Sequence, residues 1–177
     1  MAAQDRARLM MGARLLAALV PLFCGLLGVL FSNLPVTLFG GLVPPPLLGF
    51  IPVYFWCLVR PDLMTPAAAF AIGILQDVMS GGAPGIWALS FVVAYAVIQR
   101  QRDAFAGLSG VAAVLGFATA MLIVCVIAWL ATAALYHPAP LGPIVAELAI
   151  TVLFYIPGAF VVGAIHRRLV GPLRSDF

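Results

Sequence analysis

The sequence contains no lysine and few charged residues of any kind. Of its 177 residues, 64% are hydrophobic and only 8% are charged, whereas a soluble domain is about one quarter charged. So few charges cannot cover a surface that faces water, and lipid must be the solvent for most of the chain. The composition therefore excludes a water-soluble globular domain and predicts an integral membrane protein.

The apolar runs also lack the alternation of apolar and polar residues that is typical of β-barrel strands. In lipid the backbone must satisfy its hydrogen bonds internally, which leaves helices. A membrane helix takes about 20 residues, so the length allows roughly six with short loops. We predict an all-α integral membrane protein, a six-transmembrane-helix bundle that forms one domain over residues 1–177. The predicted spans lie near residues 15–33, 36–59, 63–80, 85–99, 107–135 and 143–165.

Cysteine and histidine are scarce, and their spacing does not match a metal site. Cys24, Cys57 and Cys125 lie inside apolar stretches, where a free thiol packs as a small hydrophobe. His137 and His166 are predicted in loops at opposite faces of the membrane. The sequence also lacks a nucleophile–base pair, a zinc-type motif and a phosphate loop. We therefore predict no enzymatic activity, no cofactor and no metal.

Arginine is the only strongly basic residue type, and its distribution predicts the orientation of the chain. If the N-terminus is cytoplasmic and all six spans cross, every arginine falls on the inner side of the membrane. This is the arrangement that the positive-inside rule describes. We predict a multi-pass protein with both termini in the cytoplasm. The basic residues are Arg6, Arg8, Arg14, Arg60, Arg100, Arg102, Arg167, Arg168 and Arg174.

Three consecutive prolines, residues 44–46, interrupt the second predicted span. Each proline lacks a donor and restricts the residue before it. We expect an irregular outer piece, Val36–Val43, and then a helix from about Pro46 to Val59. That helix rises about 21 Å, less than the ~30 Å hydrocarbon core. Such a span is either kinked and buried by its neighbours, or lines a cavity or a protein contact.

The third span is predicted to start with Thr65 as N-cap and Pro66 as its first residue. Within it, Phe70, Gly73 and Asp77 are spaced i, i+3 and i+7 and share one helix face. A small residue such as Gly73, four residues after an alanine, allows close approach of another helix in lipid. In a chain this rich in alanine and glycine, plain helix packing accounts for that pair.

Asp77 admits two interpretations. It is hydrated in the headgroup region, or it has a specific partner, as intramembrane acids often do. That partner is either backbone N–H groups of the Ser80–Gly85 turn or a basic residue of another protein. A helix C-terminus is unfavourable for an acid, and the predicted outer side carries no lysine or arginine. Glu147 lies near the start of the sixth span, where the helix dipole favours an acid.

An aromatic stretch that begins at Pro52 ends in the basic-Pro step Arg60-Pro61. A Phe-x-x-Gly-x-x-x-Asp helix follows, and then a turn similar to Gly-x-Pro-x-Gly. With these motifs, residues 52–89 resemble the rod shape-determining MreD family of bacteria. These positions form a candidate partner interface or structural motif: Phe70, Gly73, Asp77, Gly82, Pro84 and Gly85. A tight turn between two helices, built on glycine and proline, also accounts for the last three.

The resemblance implies a non-enzymatic scaffold of the cell-elongation machinery in the bacterial inner membrane. Such a protein binds MreC, lies near the MreB filament, and supports the elongation transpeptidase and the RodA glycosyltransferase in peptidoglycan synthesis and cell-shape control. The family is similar in fold to the substrate-binding subunits of energy-coupling-factor transporters, which are six-helix bundles with an irregular early segment. The lipid bilayer is the other expected partner, and no feature indicates nucleic acid.

A small-molecule-binding subunit of a transporter is the alternative. It would require a closed outer cavity with convergent polar groups, and the outer candidates are Asp77, Trp87, His137 and Glu147. A membrane enzyme would need a polar cluster at one depth, and the sequence shows none.

Overall fold

The computed structural model describes residues 19–34, 44–136 and 140–170, and within these ranges the chain is helical without strands. The beginning of the first predicted span, the piece Val36–Val43 and His137 lie outside the described residues. The prediction of helices rather than a barrel is confirmed for the described part. The helices are α1 (Leu19–Ser32), α2 (Phe50–Val59), α3 (Pro66–Ser80), α4 (Ile86–Arg100), α5 (Arg102–Ala106), α6 (Val111–Leu135) and α7 (Leu141–Ile165), which continues into a π-helical turn (His166–Val170).

The short helix α2 lies at the centre of the bundle. It is apolar on every side, and a helix of this kind is expected to be buried. It packs against α4, α5, α6 and α7, and Phe50, Val53 and Trp56 are fully buried. The Tyr54 ring contacts the rings of Phe105, Phe117 and Tyr155 edge-on, with centroid distances of 6.3, 5.3 and 5.9 Å. Edge-on aromatic pairs constrain the orientation of the two rings as well as the distance between them. This cluster therefore fixes the orientation of α2 relative to its neighbours.

The second span starts later than the sequence predicts, because α2 begins at Phe50 rather than at Pro46. The backbone N–H of Leu47 donates to Thr151 Oγ1 at 3.0 Å, and that of Leu48 donates to Ser32 Oγ at 3.0 Å. Leu48 N also donates to Pro46 O at 2.9 Å, and neither donor is part of an α-helical ladder. The resulting 10-residue helix rises only about 15 Å, and its neighbours bury it.

Helices α3 and α4 form a hairpin. As predicted, α3 begins with Thr65 as N-cap and Pro66 as its first residue, and the Thr65 hydroxyl accepts a hydrogen bond from Ala68 N at 3.1 Å. The connecting turn, residues 81–85, contains Gly81 at φ 63° and Gly85 at φ 95°. Glycine adopts these left-handed angles without steric cost, so the predicted tight turn is confirmed.

Helices α6 and α7 are the two described helices that are long and apolar enough to cross a membrane. Each has 25 residues, which corresponds to about 37 Å. Their large apolar side chains are widely exposed, including Val111, Leu153 and Phe160 at 77%, 69% and 73%. Exposed apolar surface of this extent marks contact with a membrane or another protein. Length, composition and exposure together indicate a membrane protein.

The starts of α6 and α7 differ slightly from prediction. α6 begins at Val111 rather than at residue 107, because Gly110 has φ 56° and interrupts the helical backbone. α7 begins at Leu141 rather than at Pro143. Pro143 therefore lies in the first helical turn. Backbone N–H groups there have no intrahelical acceptor, so a proline breaks no hydrogen bond.

Five of the arginines lie at one end of the bundle. Arg60 follows the last residue of α2, and Arg102 Nε donates to Leu58 O at 3.3 Å. The His166 ring at the end of α7 is 6.0 Å from the ring of Phe55. We call this region the arginine end; it also includes Arg100, Arg167 and Arg168. Tyr95 OH donates to Met64 O at 2.8 Å, so α3 starts at this end and the 81–85 turn lies at the opposite, turn end.

Candidate functional site

Asp77 caps the N-terminus of α4. Its Oδ2 accepts hydrogen bonds from Gly85 N at 2.9 Å and Ala88 N at 3.1 Å, and its Oδ1 accepts one from Trp87 N at 2.9 Å. The first N–H groups of a helix have no intrahelical partner and carry the positive end of the helix dipole. The carboxylate satisfies these donors and interacts favourably with that dipole. The residue is only 3% exposed.

These bonds decide between the interpretations of Asp77. The expected bonds from the turn are present at Gly85, and two more come from Trp87 and Ala88 just beyond it. The unfavourable position at the end of α3 is thus offset by the N-terminus of α4. Both carboxylate oxygens accept hydrogen bonds from the backbone and the residue is buried, so the structure shows the backbone interpretation.

Gly73 lies directly against the backbone of α4. A β-carbon at position 73 would be 2.5 Å from Ala88 Cα and 2.9 Å from Trp87 O. Only a residue without a side chain permits this approach, which is the helix-packing role predicted for a small residue in lipid. Gly73 thus packs against Trp87 and Ala88 of α4, and Asp77 accepts hydrogen bonds from the backbone N–H groups of the same two residues.

The remaining motif residues lie outside this contact. Phe70 is 50% exposed, so it is the accessible one of the three residues that share a face of α3. Gly82 and Pro84 are also exposed, while Gly85 is half-buried. The motif therefore has a buried part, Gly73 and Asp77, an exposed part, Phe70, Gly82 and Pro84, and the half-buried Gly85 between them.

A cavity of about 540 Å³ lies at the turn end, between the 81–85 turn, α6 and α7. Trp87 and Glu147, two of the outer candidates, line it together with Trp129 and Tyr136. Asp77 is not among its lining residues. Sequence reasoning missed two of the lining residues, Trp129 of α6 and Tyr136 just after that helix. Both could have been identified from the sequence, because aromatic residues near the end of a span often mark the membrane interface.

Glu147 lies near the start of α7, as predicted. Because α7 begins at Leu141, it is in the second helical turn. The influence of the dipole falls off within the first turn, so the dipole does not account for an acid there. Its distinguishing feature is its place in the wall of the turn-end cavity.

No protein-family model, curated protein or solved structure matches the chain. Within residues 19–34, 44–136 and 140–170, no group of three or more His, Cys, Asp or Glu side chains is placed to hold a metal ion. Any functional assignment therefore rests on the residues and their geometry.

Proposed function

We propose that the protein is a non-enzymatic scaffold of the bacterial cell-elongation machinery, similar in role to the MreD family. In this role it binds an MreC-like protein, lies near MreB, and supports the elongation transpeptidase and RodA during peptidoglycan synthesis. One observation carries the proposal: residues 52–89, where the resemblance lies, supply most of the buried helix α2 and the contact between α3 and the start of α4 that Asp77 holds together.

The proposal includes six crossings of the inner membrane, with the arginine end and both termini in the cytoplasm. The grouping of Arg60, Arg100, Arg102, Arg167 and Arg168 supports it, because cytoplasmic ends of membrane helices are rich in basic residues. Helices α2, α3 and α4 rise about 15–22 Å. Helix α2 would lie inside the bundle, while α6 and α7 would meet lipid along their lengths.

Cysteine accessibility tests this orientation. In a variant whose three native cysteines are replaced by alanine, Gly82→Cys should react with an impermeant thiol reagent in intact spheroplasts. Asp103→Cys should react only after permeabilisation, because α5 lies at the arginine end. The reverse labelling pattern would show that the protein has the opposite orientation. Labelling of both cysteines in intact spheroplasts would contradict the six crossings.

A partner must bind surface that the chain leaves uncovered, and Phe70 is the exposed apolar member of the motif. The tagged chain should be purified from its own host in mild detergent and its companions identified by mass spectrometry. Recovery of a single-pass protein with a periplasmic coiled coil and β domain, together with elongation synthases, is expected. Phe70→Ala should lower this recovery without changing thermal stability. Leu122→Ala, which removes an almost equally exposed side chain on α6, is the matched control.

The turn-end cavity favours a second candidate function, a small-molecule-binding subunit of a transporter. It brings Trp87 and Glu147 together with two further aromatic residues, and this is the kind of mixed apolar and polar lining that small-molecule sites have. Recovery of an ATPase pair and a helical coupling subunit, or of a small ligand retained through purification, would establish this function in place of the scaffold role.

A further inference from the structure

A second cavity, of about 660 Å³, forms a groove at the arginine end between the beginning of α6 and the end of α7. Its walls include Ala113 on α6 and Ala159 and Gly163 on α7, whose small side chains leave space between the two helices. The half-buried rings of Phe55 and Tyr155 complete its apolar lining. The groove has the shape and chemistry to hold a hydrocarbon chain.

The guanidinium of Arg167 lies in the groove and does not extend away from it. A β-carbon at Gly163 would be 3.6 Å from Arg167 Nη1 and 3.9 Å from the Phe55 ring. The side chain therefore folds back along α7, over the glycine one turn earlier. Within the described ranges the one salt bridge joins Arg60 to Asp62, so no described carboxylate neutralises Arg167.

His166 adds a second polar group at the same place. Its Nδ1 is buried and has no hydrogen-bond partner among the described residues, and the ring lies against Phe55. Buried polar atoms normally have a partner. The unpaired guanidinium of Arg167 and the ring of His166, at the mouth of an apolar groove, fit a polar, negatively charged group at this end.

We infer that the groove binds an anionic phospholipid of the adjacent leaflet. One acyl chain lies between α6 and α7, and the phosphate meets Arg167 and His166. Basic pockets between membrane helices on the cytoplasmic side recognise anionic headgroups in this way. A lipid brings the hydrocarbon chain and the anion in one molecule, which matches the apolar walls and the cationic mouth. This inference rests on the membrane placement proposed above and is independent of the protein partner.

Native mass spectrometry of the purified full chain tests the inference. Phosphatidylglycerol and phosphatidylethanolamine with identical acyl chains are added at equal concentration, and the retained adducts are compared. The wild type should prefer phosphatidylglycerol. Arg167→Gln should lower that preference about fivefold, since an arginine near a membrane surface contributes about 1 kcal/mol toward anionic lipid. Arg168→Gln is the matched control, because Arg168 is exposed and does not line the groove.

A second variant tests the acyl-chain part of the site. Ala159→Leu fills the groove and should reduce retention of both lipids while Arg167 keeps its charge. Monodisperse elution of each variant shows that it has folded. Equal losses in Arg167→Gln and Arg168→Gln would attribute the preference to the general charge of the arginine end and overturn the inference. So would unchanged retention in Ala159→Leu, or a photocrosslinker at position 159 that captures protein and not lipid.

The outcomes also separate this inference from the proposed function. If the chain fails to fractionate with membranes, the membrane scaffold proposal itself is wrong. If it fractionates with membranes and recovers its protein partners but shows no lipid preference, only the inference about the groove is wrong.

Discussion

Gly73 of α3 and Ala88 of α4 approach so closely that a β-carbon on the glycine would lie 2.5 Å from Ala88 Cα. Ala88 N also donates to the Asp77 carboxylate at 3.1 Å. The hairpin is therefore fixed at one point by close packing and by hydrogen bonds. This combination is valuable in lipid, where the hydrophobic effect does not drive one helix against another.

Gly73→Ala should destabilise the protein by about 1–3 kcal/mol, the usual cost of overpacking. Alanine favours a helix over glycine by about 1 kcal/mol, but the clash is with backbone atoms that no side-chain rotation can relieve. Thermal unfolding in detergent measures the difference. Gly82→Ala is the matched control, because the nearest atom to its β-carbon would be Ser80 Oγ at 3.7 Å. If Gly73→Ala and Gly82→Ala are equally stable, α3 can move away from α4 without a loss in the free energy of unfolding.

Asp77→Ala should cost about 3 kcal/mol, because it leaves buried N–H groups of Gly85, Trp87 and Ala88 without an acceptor. Asp77→Asn should cost about 1–2 kcal/mol. It keeps one acceptor oxygen but turns an amide N–H₂ toward backbone donors. Thermal unfolding gives both values, with the exposed Asp103→Asn as control. If the losses at position 77 match that control, the three hydrogen bonds do not contribute to stability.

The Arg60–Asp62 ion pair predicts a small dependence of stability on pH. Arg60 Nε donates to Asp62 Oδ1 at 2.9 Å and Nη2 donates to Oδ2 at 2.7 Å, and this hydrogen bonding lowers the pKa of the Asp62 carboxyl. Because the pKa of Asp62 is lower in the folded state than in the unfolded state, the ion pair stabilises the fold at pH values above the unfolded pKa of about 3.9. The contribution is lost as the pH falls through the lower folded pKa.

The expected contribution of this pair is no more than about 1 kcal/mol, because the Asp62 side chain is 57% exposed and solvent screens the pair. Asp62→Asn should therefore reduce stability slightly at pH 7 and should lose less stability than the wild type between pH 5 and pH 3. Parallel pH profiles of the two proteins would show that the pair does not contribute. High salt should narrow the difference at pH 7.

The features that were predicted correctly depend on residues close together in the sequence. Thr65 and Pro66 start α3 by a cap and a fixed φ, and the glycines of the turn supply left-handed angles. The bonds to Asp77 span only 8 to 11 positions, so local reasoning could identify backbone donors as partners. Each of these follows from the conformational preferences of single residues.

The features that were missed depend on residues far apart in the sequence. Neither the exposure of Phe70 nor the place of Trp129 in the turn-end cavity can be read from one helix, because each depends on how neighbouring helices pack. The start of α2 is the clearest case. Leu47 bonds to a side chain 104 positions away, and no property of the Pro44–Pro46 segment itself indicates that acceptor.

That long-range bond gives the last prediction. Thr151 is fully buried, and its hydroxyl accepts from Leu47 N at 3.0 Å while it donates to Glu147 O at 2.6 Å. Thr151→Val keeps the shape of the side chain but leaves the Leu47 N–H buried without an acceptor. It should cost about 1–3 kcal/mol of stability. Hydrogen exchange should also rise at Leu47 and at the first residues of α2.

Thr151→Ser is the matched control, because it keeps the hydroxyl and removes only a methyl group. It should lose at most about 1 kcal/mol from the missing methyl and should leave exchange at Leu47 unchanged. Ser32→Ala provides an independent comparison, since Ser32 Oγ holds the next donor, Leu48 N. If valine and serine at position 151 give equal stability and equal exchange, the segment before α2 is held by packing alone. In that case the late start of α2 would need a cause other than these two hydroxyls.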